Sequence, residues 1–161
     1  MDKQHIIFLH GLESSSQGTK ATLLRQIFPE IIIPDFTGSL DERMTQMRPI
    51  MGKERDWVII GSSFGGLMGA LFTCQNPLYV RRLVLFAPAL TRPFFSEAKL
   101  PVVDVPTVIY HGIHDTVVPL AKTRFLAGRT FRNLTFHEVA DDHQLLQTVQ
   151  RLNWQEVLGL A

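Results

Sequence analysis

Short β-rich runs separated by helical patterns recur along this chain of 161 residues, and that alternation constrains the fold more than any other feature. The runs are His5–His10, Ile31–Ile33, Trp57–Ile60, Leu83–Phe86, Val108–Tyr110 and Leu134–His137. Most are apolar at successive positions rather than alternate ones, the pattern of strands covered on both faces in a parallel sheet. Between them, Leu23, Leu24, Ile27 and Phe28 form one helical stripe and Leu40, Met44, Met47 and Met51 another. Ser39 and Glu42 have the spacing of a capping box ahead of that second helix. Leu145, Leu146, Val149, Leu152 and Trp154 give a C-terminal helix its apolar face. Strands alternating with helices imply an α/β fold with right-handed crossovers.

Two segments stand apart. Phe64–Cys74 is apolar nearly all round, which predicts a buried helix; Gly65, Gly66 and Gly69 let it lie close to the sheet, and Asn76-Pro77 stops it. Residues 87–106 hold Pro88, Pro93, Pro101 and Pro106, so this connection is expected to be mostly irregular with one short helix, able to cover a site at the carboxyl ends of the strands. Apolar residues make up 45% of the chain and charged residues 19%, enough for a substantial core. No repeat or linker-like tract divides it, so residues 1–161 read as one domain. Lys and Arg total 16 against 15 Asp and Glu, a balance that offers no broad field to nucleic acid or an acidic membrane. Cys74 is the only cysteine, which excludes a disulfide-stapled scaffold. The apolar run Ile6–Leu9 is too short for a signal-peptide core or a membrane span. The expectation is a cytoplasmic protein without membrane insertion.

The chemistry concentrates at Gly61-Ser62-Ser63-Phe64-Gly65, a G-x-S-x-G between a strand and the buried helix. Such a turn holds a serine oxygen clear of the sheet, and only Ser63 has glycine two positions away on both sides. A serine needs a base to remove its proton. Among six histidines, His143 in Asp141-Asp142-His143 fits the chain order Ser…Asp/Glu…His, with His137 the fallback. The carboxylate that orients the base is best supplied by Asp115, just past the strand Val108–Tyr110. Asp35 and Asp104 do not match the order, and Asp141 and Asp142 suit a helix cap better. Backbone N–H groups of Phe64 and of Leu12, presented by a turn at Gly11, are the candidate oxyanion donors. His10, Gly11, Leu90, Phe94 and Phe95 are the candidate substrate pocket, although Leu90 and the two phenylalanines would serve equally as core.

FLHGLESS, GSSFGG, HGIHDTVVP and DDHQLL follow the order and spacing of the α/β-hydrolase superfamily from residue 5 to about 146, and the first two resemble the compact YqiA-like esterases in particular. The resemblance implies a three-layer α/β/α sandwich and a triad of Ser63, His143 and Asp115, with Leu12 and Phe64 as oxyanion donors. It also implies a parallel sheet of six strands in the order 2-1-3-4-5-6, without the N-terminal hairpin or a large cap. The expected activity is hydrolysis of small carboxylic esters, or thioesters, through an acyl-enzyme, with a small-molecule substrate and no cofactor.

Other readings compete less well. A metal site drawn from His111, His114 and Asp115 would lie across a turn rather than on one helical face, and no metal is expected. Cys74 sits in the apolar helix, where a buried structural thiol is the better reading. A catalytically silent binding protein on a hydrolase scaffold remains an alternative, because fold alone does not establish activity. A peptidase or carbon–carbon hydrolase of the same fold is another.

Overall fold

In the computed structural model, which describes residues 5–160, five of the six apolar runs form one parallel sheet. Its strands are β1 (Ile6–Leu9), β2 (Trp57–Ser62), β3 (Val80–Phe86), β4 (Thr107–Gly112) and β5 (Leu134–Val139), in that spatial order. Every residue of β1, β2 and β4 is buried, which is why their sequences do not alternate. The sixth run departs from expectation. Ile32 makes a single parallel bridge to Ile7, its N–H donating to the Ile6 carbonyl and its own carbonyl accepting from the Phe8 N–H, both at 2.9 Å. The bridge lies at the edge beyond β1, where the order 2-1-3-4-5-6 puts a strand. Pro34, next on the same side, has no N–H to donate, so the ladder ends after one rung and the sheet has five strands rather than six.

Among the described residues seven α-helices clothe the sheet: α1 (Thr19–Ile27), α2 (Leu40–Met51), α3 (Phe64–Gln75), α4 (Pro93–Ser96), α5 (Leu120–Thr130), α6 (Leu146–Arg151) and α7 (Trp154–Val157). Ile7, Leu9, Ile59, Leu83, Leu85 and Ile109 pack on one face with residues of α2, α3 and α5. Ile6, Phe8, Val58, Ile60, Val84, Phe86 and Val108 pack on the other with residues of α1, α6 and α7. Three layers result. The capping box forms as its spacing predicts: Ser39 Oγ accepts from the Glu42 N–H at 3.2 Å, and the Glu42 carboxylate accepts from the Ser39 N–H. From Phe64 to Cys74, α3 is buried at every position. The C-terminal apolar stripe is split at Leu152, and Asn153 caps α7 by accepting from the Glu156 N–H.

Residues 87–106 hold only the short α4. The segment is tied to its surroundings, with the Ala89 N–H on the Ser63 carbonyl and Phe95 stacked on Phe131 in the core. Among the described residues no helix is long and apolar enough to cross a membrane. The chain leaves β1 toward α1 on one face and leaves β2 toward α3 on the other. Neighbouring loops that part in this way open a crevice at the carboxyl ends of parallel strands.

Candidate active site

Ser63 stands directly after β2 with φ 53° and ψ −113°, a conformation that costs a non-glycine residue free energy. Tertiary contacts hold it there. Its N–H donates to the Phe86 carbonyl at 2.9 Å, and its carbonyl accepts from Ala89 and from Leu67. The flanking glycines are required by close packing: a Cβ on Gly61 would sit 2.6 Å from the Gly65 carbonyl oxygen, and one on Gly65 would run into the Leu9 carbonyl. The strain at Ser63 and the two tight approaches turn its hydroxyl outward from the sheet end.

His143 and Asp115 reach the same point from two other strand ends. Asp115 follows β4 and His143 follows β5. His143 Nδ1 donates to Asp115 Oδ2 at 2.8 Å, because an ionised carboxylate can only accept. In the neutral ring Nε2 is then the acceptor, and the Ser63 hydroxyl lies 3.2 Å from it. Asp115 has a fully buried side chain, whereas His143 keeps 16% of its own exposed, on the cleft. Burial pushes the Asp115 carboxyl up, but hydrogen bonds from the Val118 N–H, His143 and the Val117 N–H outweigh it and hold the group below its ordinary range. The loop carrying His143 passes over Gly112, where a Cβ would meet the Asp141 and Asp142 carbonyls. Asp141 accepts from the Thr148 N–H and hydroxyl, and Asp142 from the Gln144 and Leu145 N–H groups, so both acids shape this loop rather than face Ser63.

On the opposite side of Ser63 runs the loop after β1. A Cβ on Gly11 would lie 3.6 Å from Ser63 Cβ, so the backbone of Gly11 and Leu12 borders the serine. The Phe64 N–H opens α3 and has no acceptor within the helix. His10, an expected pocket residue, is buried instead: its Nδ1 donates to the Gly11 carbonyl at 2.7 Å and its Nε2 accepts from the Phe36 N–H at 3.0 Å. It therefore fixes the loop from behind. Farther along, Asp35 accepts from the Ser16 N–H and hydroxyl, and those two bonds keep its carboxyl below the ordinary range.

A cleft of about 660 Å³ opens at Ser63 and His143, walled by Gly11, Leu12, Glu13, Ser14, Lys20, Arg92, Val117, Gln144 and Leu146 among others. Burial pulls the Lys20 ammonium below its usual value, against the opposing pull of Asp142 and Asp141. Of the five expected pocket residues only Gly11 lies on the cleft. Leu90 and Phe95 are fully buried in the core, and Phe94 faces solvent away from the cleft, because α4 turns its apolar side inward to Phe131. Glu13, Ser14, Lys20, Arg92, Val117, Gln144 and Leu146 carry no signal in the sequence, because they come from separate loops whose spatial proximity leaves no spacing pattern. Val117, two residues beyond Asp115, was the most accessible of them to a motif reading.

The remaining candidates separate from this point. His137 is an exposed β5 residue stacked on Tyr110. Burial pushes the Cys74 thiol up to about 12. His114 is exposed while His111 is buried, and among the described residues no group of three or more acidic, cysteine or histidine side chains converges as a metal cage. A second hollow of about 360 Å³ lies between α1 and α6, lined by Thr22, Leu23, Gln26 and Val149 with no titratable side chain.

A parallel sheet covered on both faces, with a strained serine between a strand and a buried helix, defines the chain as an α/β hydrolase in fold. Residues 5–112 match the Uncharacterised protein family UPF0227, and the chain belongs to that family. Among solved structures it is similar to a Xanthomonas campestris pv. campestris protein assigned to the hydrolases of the alpha/beta superfamily, with 27% identity, a TM-score of 0.74 and 92% of each chain covered. It is also similar in fold to the Pyrococcus furiosus esterase Pf2001, with 16% identity, a TM-score of 0.77, and 97% of this chain and 81% of that one covered. Mouse alpha/beta hydrolase domain-containing protein 10 gives 15% identity and a TM-score of 0.75 over 91% of this chain and 85% of that one. No curated protein matches the chain.

Proposed function

We propose that the protein is a serine hydrolase of small carboxylic esters, with thioesters within reach of the same machinery. The observation that carries this reading is the unbroken line from Ser63 Oγ through the His143 ring to Asp115 Oδ2, with steps of 3.2 and 2.8 Å, opening on a cleft. The likeness in fold to an esterase agrees with it and adds nothing about substrate.

In this mechanism Ser63 Oγ attacks the acyl carbon while His143 Nε2 takes its proton. Asp115 stabilises the imidazolium and keeps the ring in the tautomer that leaves Nε2 free to accept. The Leu12 and Phe64 N–H groups hold the oxyanion, neutral donors whose strength does not depend on pH. His143 then gives its proton to the leaving alkoxide or thiolate, and the acyl group remains on Ser63. Water, deprotonated by His143, attacks that ester, and the acid leaves as the proton returns to Ser63. No step calls for a cofactor.

The test is Ser63→Ala assayed on p-nitrophenyl esters of graded chain length and on acyl thioesters. Turnover should fall by about 10⁵-fold or more while the far-ultraviolet circular dichroism is unchanged. Undiminished hydrolysis by the folded variant would remove the proposal.

A further inference from the structure

His111, the fifth residue of β4, has no part in the proton relay, yet it lies against it. Its side chain is fully buried. Its Nε2 faces two acceptors, the Val118 carbonyl at 3.0 Å and Asp115 Oδ2 at 3.3 Å. A carbonyl and a carboxylate can only accept, so Nε2 must carry a hydrogen. The other nitrogen, Nδ1, is buried with no partner among the described residues. Leaving a buried polar atom unpaired is unfavourable, so the position bears a penalty that an apolar residue would avoid.

We infer that His111 is a positioning residue for the Ser63–His143–Asp115 relay, anchoring the Asp115–Val118 turn through the Val118 carbonyl and keeping a neutral N–H edge beside Asp115 Oδ2. The inference rests on the function proposed above. With His111 in place, the Val118 carbonyl is tied to Nε2 while the Val117 and Val118 N–H groups hold Asp115 Oδ1, so the 115–118 turn is fixed at both ends. Oδ2 then takes its one side-chain hydrogen bond from His143, with the Nε2–H edge of His111 lying 3.3 Å away.

Neutrality matters as much as the bond. The charged and titratable groups around His111 are Asp115 on its own loop, His143 from the loop after β5, and Glu138, its register partner on β5, which is itself paired with Arg124 of α5 at 2.8 Å. The Phe136 ring stacks beside it at 6.2 Å. A second proton on Nδ1 would have no acceptor, and burial holds the ring below the ordinary histidine value despite the Val118 carbonyl and Asp115. A guanidinium or ammonium here could anchor the Val118 carbonyl equally well, but would compete with the His143 imidazolium for the charge of Asp115. A neutral ring anchors the turn and leaves that charge for His143.

The experiment compares wild type, His111→Met and His111→Gln by pH profile of kcat/KM on p-nitrophenyl acetate, with fluorophosphonate labelling of Ser63 in parallel. The methionine fills the site without a donor; the glutamine amide reaches the place of Nε2 and restores one. For His111→Met, kcat should fall by about tenfold with KM little changed, on the scale of losing the hydrogen bond that anchors the carboxylate's turn. Its acidic limb should move to higher pH, because a carboxylate without the positive N–H edge beside it holds the protonated base more strongly. Both effects should be largely reversed in His111→Gln. If His111→Met does not fold, His111→Asn replaces it, since its shorter amide stops at the place of Nδ1. A wild-type profile in the donor-less variant, or equal impairment in the glutamine variant, would overturn the inference. Wild-type protein that resists labelling at Ser63 would instead overturn the hydrolase reading beneath it.

Discussion

Asp115 concentrates the pH dependence expected of this molecule. Its carboxyl is held below the ordinary range in the folded chain, so its share of stability is complete above the unfolded value of about 3.9 and is lost as pH falls through the lower folded value. Urea midpoints of wild type and Asp115→Asn should therefore differ most above about pH 5 and converge as pH drops toward 3. A difference that stays constant through this window would contradict the assignment. On turnover, Asp115→Asn should cost on the order of 10³–10⁴-fold in kcat, because an amide in that place favours the wrong tautomer of His143. Cys74 makes the converse case. A thiol pushed up to about 12 has almost no thiolate near neutrality, so native protein should resist iodoacetamide that labels the unfolded chain readily.

Whole elements carry the geometry to the site, and they explain which parts of it were legible in the sequence. β1, β2 and β4 read clearly because both their faces are buried, so composition alone marked them. Ile31–Ile33 has the same composition and yet forms one bridge, because the proline that directly follows outweighs an apolar run. The helix stripe at the C-terminus was continuous in apolar content, but Asn153 starts a new helix within it. Order along the chain pointed to Ser63, Asp115 and His143; the cleft walls depended on loop paths, and Leu90 and Phe95 turned into the core. Ser39→Ala should cost about 1 kcal/mol in urea unfolding and leave turnover untouched, since its capping box lies away from the cleft. Gly112→Ala should cost turnover as well as stability. Its Cβ pushes the 141–142 backbone and with it His143, and a displacement near 1 Å should cost about 10²-fold in kcat. Unchanged kinetics in a folded Gly112→Ala protein would show that this close approach does not set the position of His143.

For the molecule as a whole, the open cleft sets the expected behaviour toward substrates. The connection over residues 87–106 contributes Arg92 to the wall, while its aromatic and aliphatic side chains at Leu90 and Phe95 anchor it in the core. Turnover of short-chain esters should therefore rise smoothly with concentration, and a sharp increase confined to concentrations above micelle formation would contradict an unlidded site. Three strand ends bring a hydroxyl, an imidazole and a carboxylate into line, and mass spectrometry after fluorophosphonate treatment of wild type and His143→Ala tests whether that line is reactive. One adduct per chain, at Ser63, is expected in wild type and almost none in the variant. Labelling that is absent in wild type, sits on another residue, or proceeds equally without the imidazole would contradict it.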